Sequence, residues 1–197
     1  MIAKRIFDLF FSLLGVLLLA PFFLFISMWI KYDSPGPVFF RQVRVGQFGK
    51  NFRIFKFRSM CLDAESKGRQ ITVGEDLRIT NSGRFLRDSK IDELPQLFNV
   101  VLGDMSLVGP RPEVPSYVAL YPVVIRDQVL SVLPGITDYA SLEYKYENRI
   151  LGLADDPEKA YIEEIMPIKL KYYLRYVAER SLWADIKIII STLKALL

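Results

Sequence analysis

The chain contains no histidine. That absence excludes a Ser-His-Asp triad, a Cys-His dyad and any zinc site built on imidazole. A single cysteine, Cys61, excludes an internal disulfide. Beside Met60 it reads as a small core residue rather than a reactive thiol. Acid–base and nucleophilic chemistry therefore falls to Asp, Glu, Lys, Tyr, Ser or Thr. Acids are scarce at the start. Residues 1 to 60 hold nine Lys or Arg against two acids, Asp8 and Asp33, whereas the remainder is slightly acidic. A basic block beside an apolar segment suits an anionic membrane surface or an anionic substrate. With 197 residues, 51% of them hydrophobic, one ordered domain with a real core is expected. No internal repeat or linker divides it.

Charge is also missing from Leu9 to Ile30. Twenty-two residues make about 33 Å of helix, enough to cross a bilayer core. The run is too long for the core of a cleaved signal peptide, and no small-residue cleavage site follows it. Two topologies stay open. One is a straight transmembrane helix. The other is a re-entrant helix that breaks near Ala20-Pro21 and returns to the face it entered. Pro21 removes a backbone hydrogen bond inside the run. Lys4 and Arg5 precede the run and Lys31, Arg41 and Arg44 follow it, and a straight span cannot keep both flanks in the cytoplasm. Asp8, four residues after Lys4, reads as an exposed interfacial pair worth a few tenths of a kcal/mol.

Ser34-Pro35-Gly36-Pro37 ends the membrane element with turn chemistry. Val38 to Val45 and Asn51 to Arg58 read as strands around a loop marked by Gly46 and Gly49, a β-hairpin. Lys56 and Arg58 would share one strand face, either solvated or aimed at phosphate. Residues 62 to 82 read as a polar loop. Ser89 to Leu102 is helical by pattern, with Leu94, Leu97, Phe98 and Val101 on one stripe. Pro95 places the helix start nearby, so Asp92 and Glu93 fall in the first turn, and Ser89-x-x-Asp92 resembles a capping box. A short buried run then leads to a stiff loop, with Arg111 between Pro110 and Pro112. Pro134-Gly135 is a turn. Ser181 caps a last helix with Leu182, Ile186, Ile189, Leu193 and Leu196 on one stripe. Trp183, Lys187 and Lys194 suit a membrane interface, and a core-packing helix fits the pattern equally well.

Acids in a first turn have a plain explanation, because the helix dipole stabilises them by about 0.3–1 kcal/mol. The surrounding cations suggest more. Lys56, Arg58, Arg87 and Arg111 could form a basic pocket around Asp92 and Glu93. Such a site handles phosphate, and carboxylates facing phosphates call for a divalent ion, usually Mg²⁺. A carboxylate can also attack phosphorus to give an acyl phosphate.

These stretches resemble the monotopic phosphoglycosyl transferases, the bacterial sugar transferase family. The likeness rests on Lys4-Arg5-x-x-Asp8, Gly36 to Gln42, Phe55 to Met60, Gly83 to Arg87, Lys90 to Val100, Gly103 to Pro112 and Pro134 to Thr137, and covers most of the chain. The small size resembles the minimal catalytic form, without the extra membrane helices of larger relatives. The resemblance implies an α+β, mostly helical fold: a re-entrant membrane helix-break-helix over residues 1–34, then a cytoplasmic catalytic domain over 35–197 with a small β-hairpin and interfacial amphipathic helices. It implies the cytoplasmic face of the bacterial inner membrane. It also implies an enzyme with Mg²⁺. Asp92 would attack the β-phosphate of a UDP-sugar, UMP would leave, and polyprenyl phosphate would take the phosphosugar from Asp92. Glu93 would hold the metal with Asp92 or take the acceptor proton. Lys56, Arg87 and Arg111 match positions expected near the phosphates. The implied partners are a UDP-sugar, polyprenyl (undecaprenyl) phosphate and the phospholipid membrane, with a homodimer allowed and no nucleic acid.

The likeness weakens after Thr137, where relatives continue Gly-x-Ala-Gln-Val-x-Gly-Arg. Here Asp138 to Tyr144 intervene before Asn148-Arg149, so no arginine role transfers to Arg149, and residues 138 to 160 are where sugar selectivity is expected. Two other functions fit the same residues. A glycosyltransferase would release UDP instead of UMP. A non-catalytic scaffold of polysaccharide export would tolerate loss of Asp92.

Overall fold

The computed structural model describes residues 2–62, 64, 76–144 and 147–196, with the backbone alone at 148, 149 and 196. It is mostly helical, with a small antiparallel sheet and one long apolar N-terminal helix. That helix, α1 (Ile2–Asp33), precedes a hairpin of β1 (Phe39–Val45) and β2 (Asn51–Phe57), joined by a 3-10 turn over Gln47–Gly49. The expected hairpin is therefore present, in the register Phe39 to Phe57 through Val45 to Asn51. Next come α2 (Asn81–Asp88), a 3-10 turn (Ile91–Glu93), α3 (Gln96–Leu102), β3 (Ser106–Val108), α4 (Pro115–Val118) and α5 (Val123–Val129). β4 (Gly135–Thr137), α6 (Tyr139–Glu143), α7 (Glu147–Gly152), α8 (Pro157–Ala160), a π turn (Tyr161–Ile165), α9 (Met166–Glu179) and α10 (Leu182–Leu196) complete the chain.

Helix α1 differs from expectation in two ways. It runs through Ala20 and Pro21 without interruption, so the break in helical structure is not present. A proline deletes one amide donor, and the flanking bonds of a long helix absorb that loss. Second, α1 does not stand away from the rest of the protein. Asp8, Ser12, Phe23, Ile26 and Ile30 are buried, and Gly15 and Leu19 lie against Leu97 and the Phe23 cluster. These positions are three or four apart, so one stripe of the helix faces the domain along its length. The opposite face exposes Phe10, Leu13, Leu17, Leu18, Leu24 and Phe25.

Both ends of α1 are tied down by charge. Arg5 donates to the Val100 and Val101 carbonyls at the end of α3. Lys4 bonds Asp185 of α10 at 2.6 Å and the Val108 carbonyl at 3.2 Å. Asp8 is not an exposed partner of Lys4. It is 1% exposed, accepts from the Ser106 hydroxyl and the Leu107 amide, and lies 3.8 Å from Lys4. At the other end Arg58 donates to the Ile30, Ser34 and Pro35 carbonyls. A guanidinium satisfies the orphan carbonyls of a helix C-terminus and complements its dipole. Asp33 accepts from the amide and hydroxyl of Ser82, which joins α1 to α2.

The single helix expected over Ser89 to Leu102 is two elements. Helix α2 ends at Asp88, Lys90 takes a left-handed conformation (φ 57°), and the chain re-enters a helix only at Gln96 with Pro95 as its N-cap. Ser89 makes no capping box, because its hydroxyl bonds back to the Phe85 carbonyl at 2.6 Å. Helix α2 starts at Asn81, capped by the Thr80 hydroxyl on the Gly83 amide, so the polar loop ends earlier than expected. Residues 63 and 65–75 of that loop lie outside the described residues. Cys61 is exposed rather than in the core, placed there by the Met60–Ile79 bridge. Pro134-Gly135 leads directly into β4, which pairs in parallel with β3. A Cβ on Gly135 would lie 2.0 Å from the Gly109 nitrogen, so the two backbones meet at a distance that only glycine allows.

Helix α10 packs rather than merely touching an interface, but on a different stripe from the one expected. Asp185 and Ile188 are buried, Thr192 shares a hydrogen bond with Thr137, and Leu193 is exposed. Polar partners turn the helix: Asp185 receives bonds from Lys4 and Tyr176. The side chain of Leu196 is outside the described residues.

Candidate active site

The site forms where the hairpin meets the turn before α3. Asn99 of α3 fixes that meeting. It is fully buried, its Oδ1 accepts from the Phe55 amide at 2.8 Å, and its Nδ2 donates to the Arg53 carbonyl at 2.9 Å. An asparagine side chain here acts as one residue of an added strand on β2. With α3 docked this way, the Ile91–Glu93 turn lies beside Lys56 at the end of β2.

Glu93 is held by two cations. Lys56 Nζ donates to Oε1 at 2.7 Å, Arg111 Nη1 donates to Oε2 at 3.0 Å, and Arg111 Nη2 closes a second bond to Oε1. This planar, two-pronged pairing is the geometry that arginine alone provides. Burial by itself would raise the Glu93 carboxyl, but Arg111 and Lys56 outweigh it and hold the group well below the usual carboxylate range. Glu93 raises the Arg111 guanidinium well above its ordinary value in return. Burial lowers the Lys56 ammonium, with Glu93 opposing.

Asp92 is different. It is 7% exposed, and among the described residues no side chain hydrogen-bonds to it. Burial and then the Glu93 charge push its carboxyl above the usual range, against the pull of Lys56, Arg87 and Lys90. One acid of the pair is thus locked and strongly acidic, and the other is unpaired and destabilised as an anion. A pair of carboxylates whose environments separate them in this way divides into two roles.

The other expected site residues divide as well. Arg87, in the last turn of α2, lines the same cleft as Asp92, Glu93, Lys56 and Arg111, and no ion pair engages it among the described residues. Pro110 and Pro112 are buried and hold the Arg111 backbone; the Pro110 carbonyl accepts from Gly135 and the Pro112 carbonyl from Arg44. Arg58 also lines the cleft, but its guanidinium is engaged elsewhere. Strand β2 ends at Phe57, Arg58 is 5% exposed, and the carbonyls closing α1 take its guanidinium. Among the described residues no group of three or more Asp, Glu, Cys or His could hold a metal by itself. The oxygen chemistry of Asp92 and Glu93 fits Mg²⁺, which takes one or two carboxylates and completes its shell with water and substrate phosphates.

A second buried network went unread in the sequence. Tyr161 donates to Glu113 Oε1 at 2.6 Å, and Lys169 lies 3.5 Å from Glu113 and bonds Glu147 at 3.0 Å. Arg44 approaches Glu113 at 3.6 Å and donates to Gln42 at 2.7 Å. Burial would raise the Glu113 carboxyl, but Lys169 and Arg44 hold it below the usual range. One signal was available. Lys169 sits on the inward stripe of α9 with Met166, Leu170, Tyr173 and Tyr176, where an unpaired ammonium would be too costly to bury. The side chains of Asn148 and Arg149 lie outside the described residues.

The family model described as bacterial sugar transferase matches residues 1–197. The chain is 38% identical over 196 residues to a protein of Aeromonas hydrophila named UDP-N-acetylgalactosamine-undecaprenyl-phosphate N-acetylgalactosaminephosphotransferase, covering 98% of this chain and 43% of that one. It is 41% identical over 195 residues to the UDP-glucose:undecaprenyl-phosphate glucose-1-phosphate transferase of Klebsiella pneumoniae, covering 98% of this chain and 39% of that one. A Rhizobium leguminosarum bv. phaseoli protein named exopolysaccharide production protein PSS is 40% identical over 198 residues, with 98% and 94% covered. The chain thus spans about two fifths of the length of the first two relatives and nearly all of the third.

Proposed function

The chain belongs to the bacterial sugar transferase family, and from that premise we propose that it moves a sugar-1-phosphate from a UDP-sugar to undecaprenyl phosphate, releasing UMP. The observation that carries this reading is the division of the two carboxylates: Asp92 unpaired and buried, Glu93 clamped by Arg111 and Lys56. In the first step an Asp92 oxygen attacks the β-phosphorus of the donor. The bond from that phosphorus to the bridging oxygen breaks, and UMP leaves with the electron pair. A phosphosugar remains on Asp92 as an acyl phosphate. In the second step a phosphate oxygen of the lipid attacks the same phosphorus, and the Asp92 carboxylate is the leaving group.

Desolvation favours the attack, because a carboxylate stripped of partners loses little on forming a bond. Arg87 and the Arg111–Glu93–Lys56 cluster orient the diphosphate and offset its charge. Bound Mg²⁺ would be held by Asp92 and Glu93 and would neutralise phosphate oxygens. With both of its oxygens in ion pairs, Glu93 is a weak proton acceptor. A lipid phosphate is already an anion, so the second step needs no strong base.

The arrangement of α1 supports a monotopic attachment to the cytoplasmic face of the inner membrane. Its inward stripe runs from Asp8 to Ile30, and charged side chains tie both of its ends to the domain. Spanning the bilayer would pull that stripe away from its partners. Its apolar outer face instead lies in one leaflet, with Pro21 where the helix lacks one hydrogen bond. The lipid phosphate then meets the site at the headgroup level.

The test is product identity. Purified protein in detergent with undecaprenyl phosphate, Mg²⁺ and a panel of UDP-sugars should release UMP in step with a lipid diphosphate-sugar. Release of UDP would assign a sugar-only glycosyltransferase. No turnover with any donor would leave the protein a scaffold.

A further inference from the structure

The cleft lined by Asp92 and Arg111 has a second group of lining residues, its arm: Glu113, Tyr117, Ser141, Glu147, Tyr161 and Lys169. The reaction chemistry described above uses none of these residues. Two of their polar atoms are buried without any hydrogen-bond partner: the Tyr117 hydroxyl and the Ser141 hydroxyl. Tyr117 itself is 6% exposed, and burial pushes its phenol up to about 12, so it remains a hydroxyl at neutral pH. A buried hydroxyl without a partner costs free energy, and a cleft with two such residues in its lining suits a ligand that supplies the partners.

We propose that this arm seats the sugar ring of the donor, with the Tyr117 and Ser141 hydroxyls bonding its hydroxyl or amide groups and the Glu113–Lys169–Tyr161 network setting which sugar fits. The inference rests on the UDP-sugar reading above and assigns the residues that discriminate among donors. Connectivity chooses the sugar over the nucleoside. The sugar is attached to the phosphorus that Asp92 attacks, whereas the nucleoside lies one phosphate further away. The arm begins at Glu113, two residues beyond Arg111, and the Arg44 guanidinium lies 3.6 Å from Glu113 while donating to the Pro112 carbonyl at 3.1 Å. Chemistry agrees. Uracil presents a flat edge and asks for in-plane amide partners. Carboxylates, an ammonium and hydroxyls accept and donate at many angles, which suits a pyranose.

Tyr117→Phe and Ser141→Ala each delete one oxygen that has no partner inside the protein, so the fold should not notice. Full-length protein is assayed with the two UDP-sugars that the wild type turns over best. The expected result is a rise of about two- to tenfold in donor KM, the cost of one lost hydrogen bond. It should come with a changed kcat/KM ratio between the two donors, an unchanged inhibition constant for UMP, and an unchanged Tm. UMP carries the nucleoside but no sugar, so UMP inhibition weakened in parallel would place the nucleoside in the arm and overturn the proposal. Unchanged donor constants in both variants would overturn it too, as would a lower Tm with the donor ratio preserved, which marks packing residues. A wild type that releases no UMP from any donor would remove the transferase reading itself, a failure distinct from these.

Discussion

Arg111→Lys separates geometry from charge at the centre of the site. Arg111 donates to both oxygens of Glu93, with Nη1 to Oε2 at 3.0 Å, while Lys56 holds Oε1 at 2.7 Å. Lysine keeps the positive charge, so most of the Coulomb attraction survives. What it loses is one of two charge-assisted hydrogen bonds, about 1.5–3 kcal/mol for such a bond. Arg111 is 30% exposed and Lys56 still pairs Glu93, so about 1–2 kcal/mol is the expected loss. Arg111→Ala removes the charge as well and leaves a buried carboxylate half-compensated, at a cost of about 3–5 kcal/mol. The assay is thermal denaturation in detergent beside UMP release. The alanine variant should lose more Tm than the lysine variant, and the lysine variant should retain its fold while kcat/KM falls about tenfold or more. A lysine variant with wild-type rate and stability would refute the argument and make Arg111 an ordinary surface cation.

Asp92→Asn should abolish turnover and raise Tm at neutral pH. The native state raises the Asp92 pKa, so it favours the protonated form; wild-type stability relative to the asparagine variant falls as pH rises through that raised value, and the gap closes under acid conditions. EDTA should stop UMP release and added Mg²⁺ restore it; full activity in chelator would contradict the metal reading. Arg58→Ala should lower Tm by freeing the carbonyls that end α1, with donor KM little changed; a large KM effect would return Arg58 to the phosphate site. In a Cys61→Ser background, Ile2→Cys and Leu153→Cys should both resist an impermeant thiol reagent on intact spheroplasts and react after lysis. Labelling of position 2 alone from outside would establish a spanning helix.

Local patterns in the sequence identified what local forces decide. The hairpin follows from alternation and glycines, and the stiff loop around Arg111 from its prolines. The cations around the paired acids suggested one site for Lys56, Asp92, Glu93 and Arg111, and the structure brings them together. Patterns that depend on tertiary partners were less legible. Arg58 sits two residues after Lys56 and looks equivalent in a strand, yet the end of α1 captures it, and nothing within β2 announces that partner. Asp8 reads as a surface acid because Ser106 and Leu107 lie about a hundred residues away. Helical periodicity over Ser89 to Leu102 hid the left-handed Lys90, which a non-glycine residue adopts only under surrounding constraint. The Glu113–Lys169 network escaped because its members are far apart in the chain, although a lysine on a buried stripe is a readable sign.

The central claim is that Asp92 carries the phosphosugar between two substrates. Intact-protein mass spectrometry of the wild type mixed with UDP-sugar and Mg²⁺, without lipid acceptor, tests it most directly. The account predicts an added mass equal to one sugar phosphate, mapped to Asp92, absent from Asp92→Asn and discharged when undecaprenyl phosphate is added. An unmodified protein that nevertheless turns over donor once lipid is supplied would contradict it.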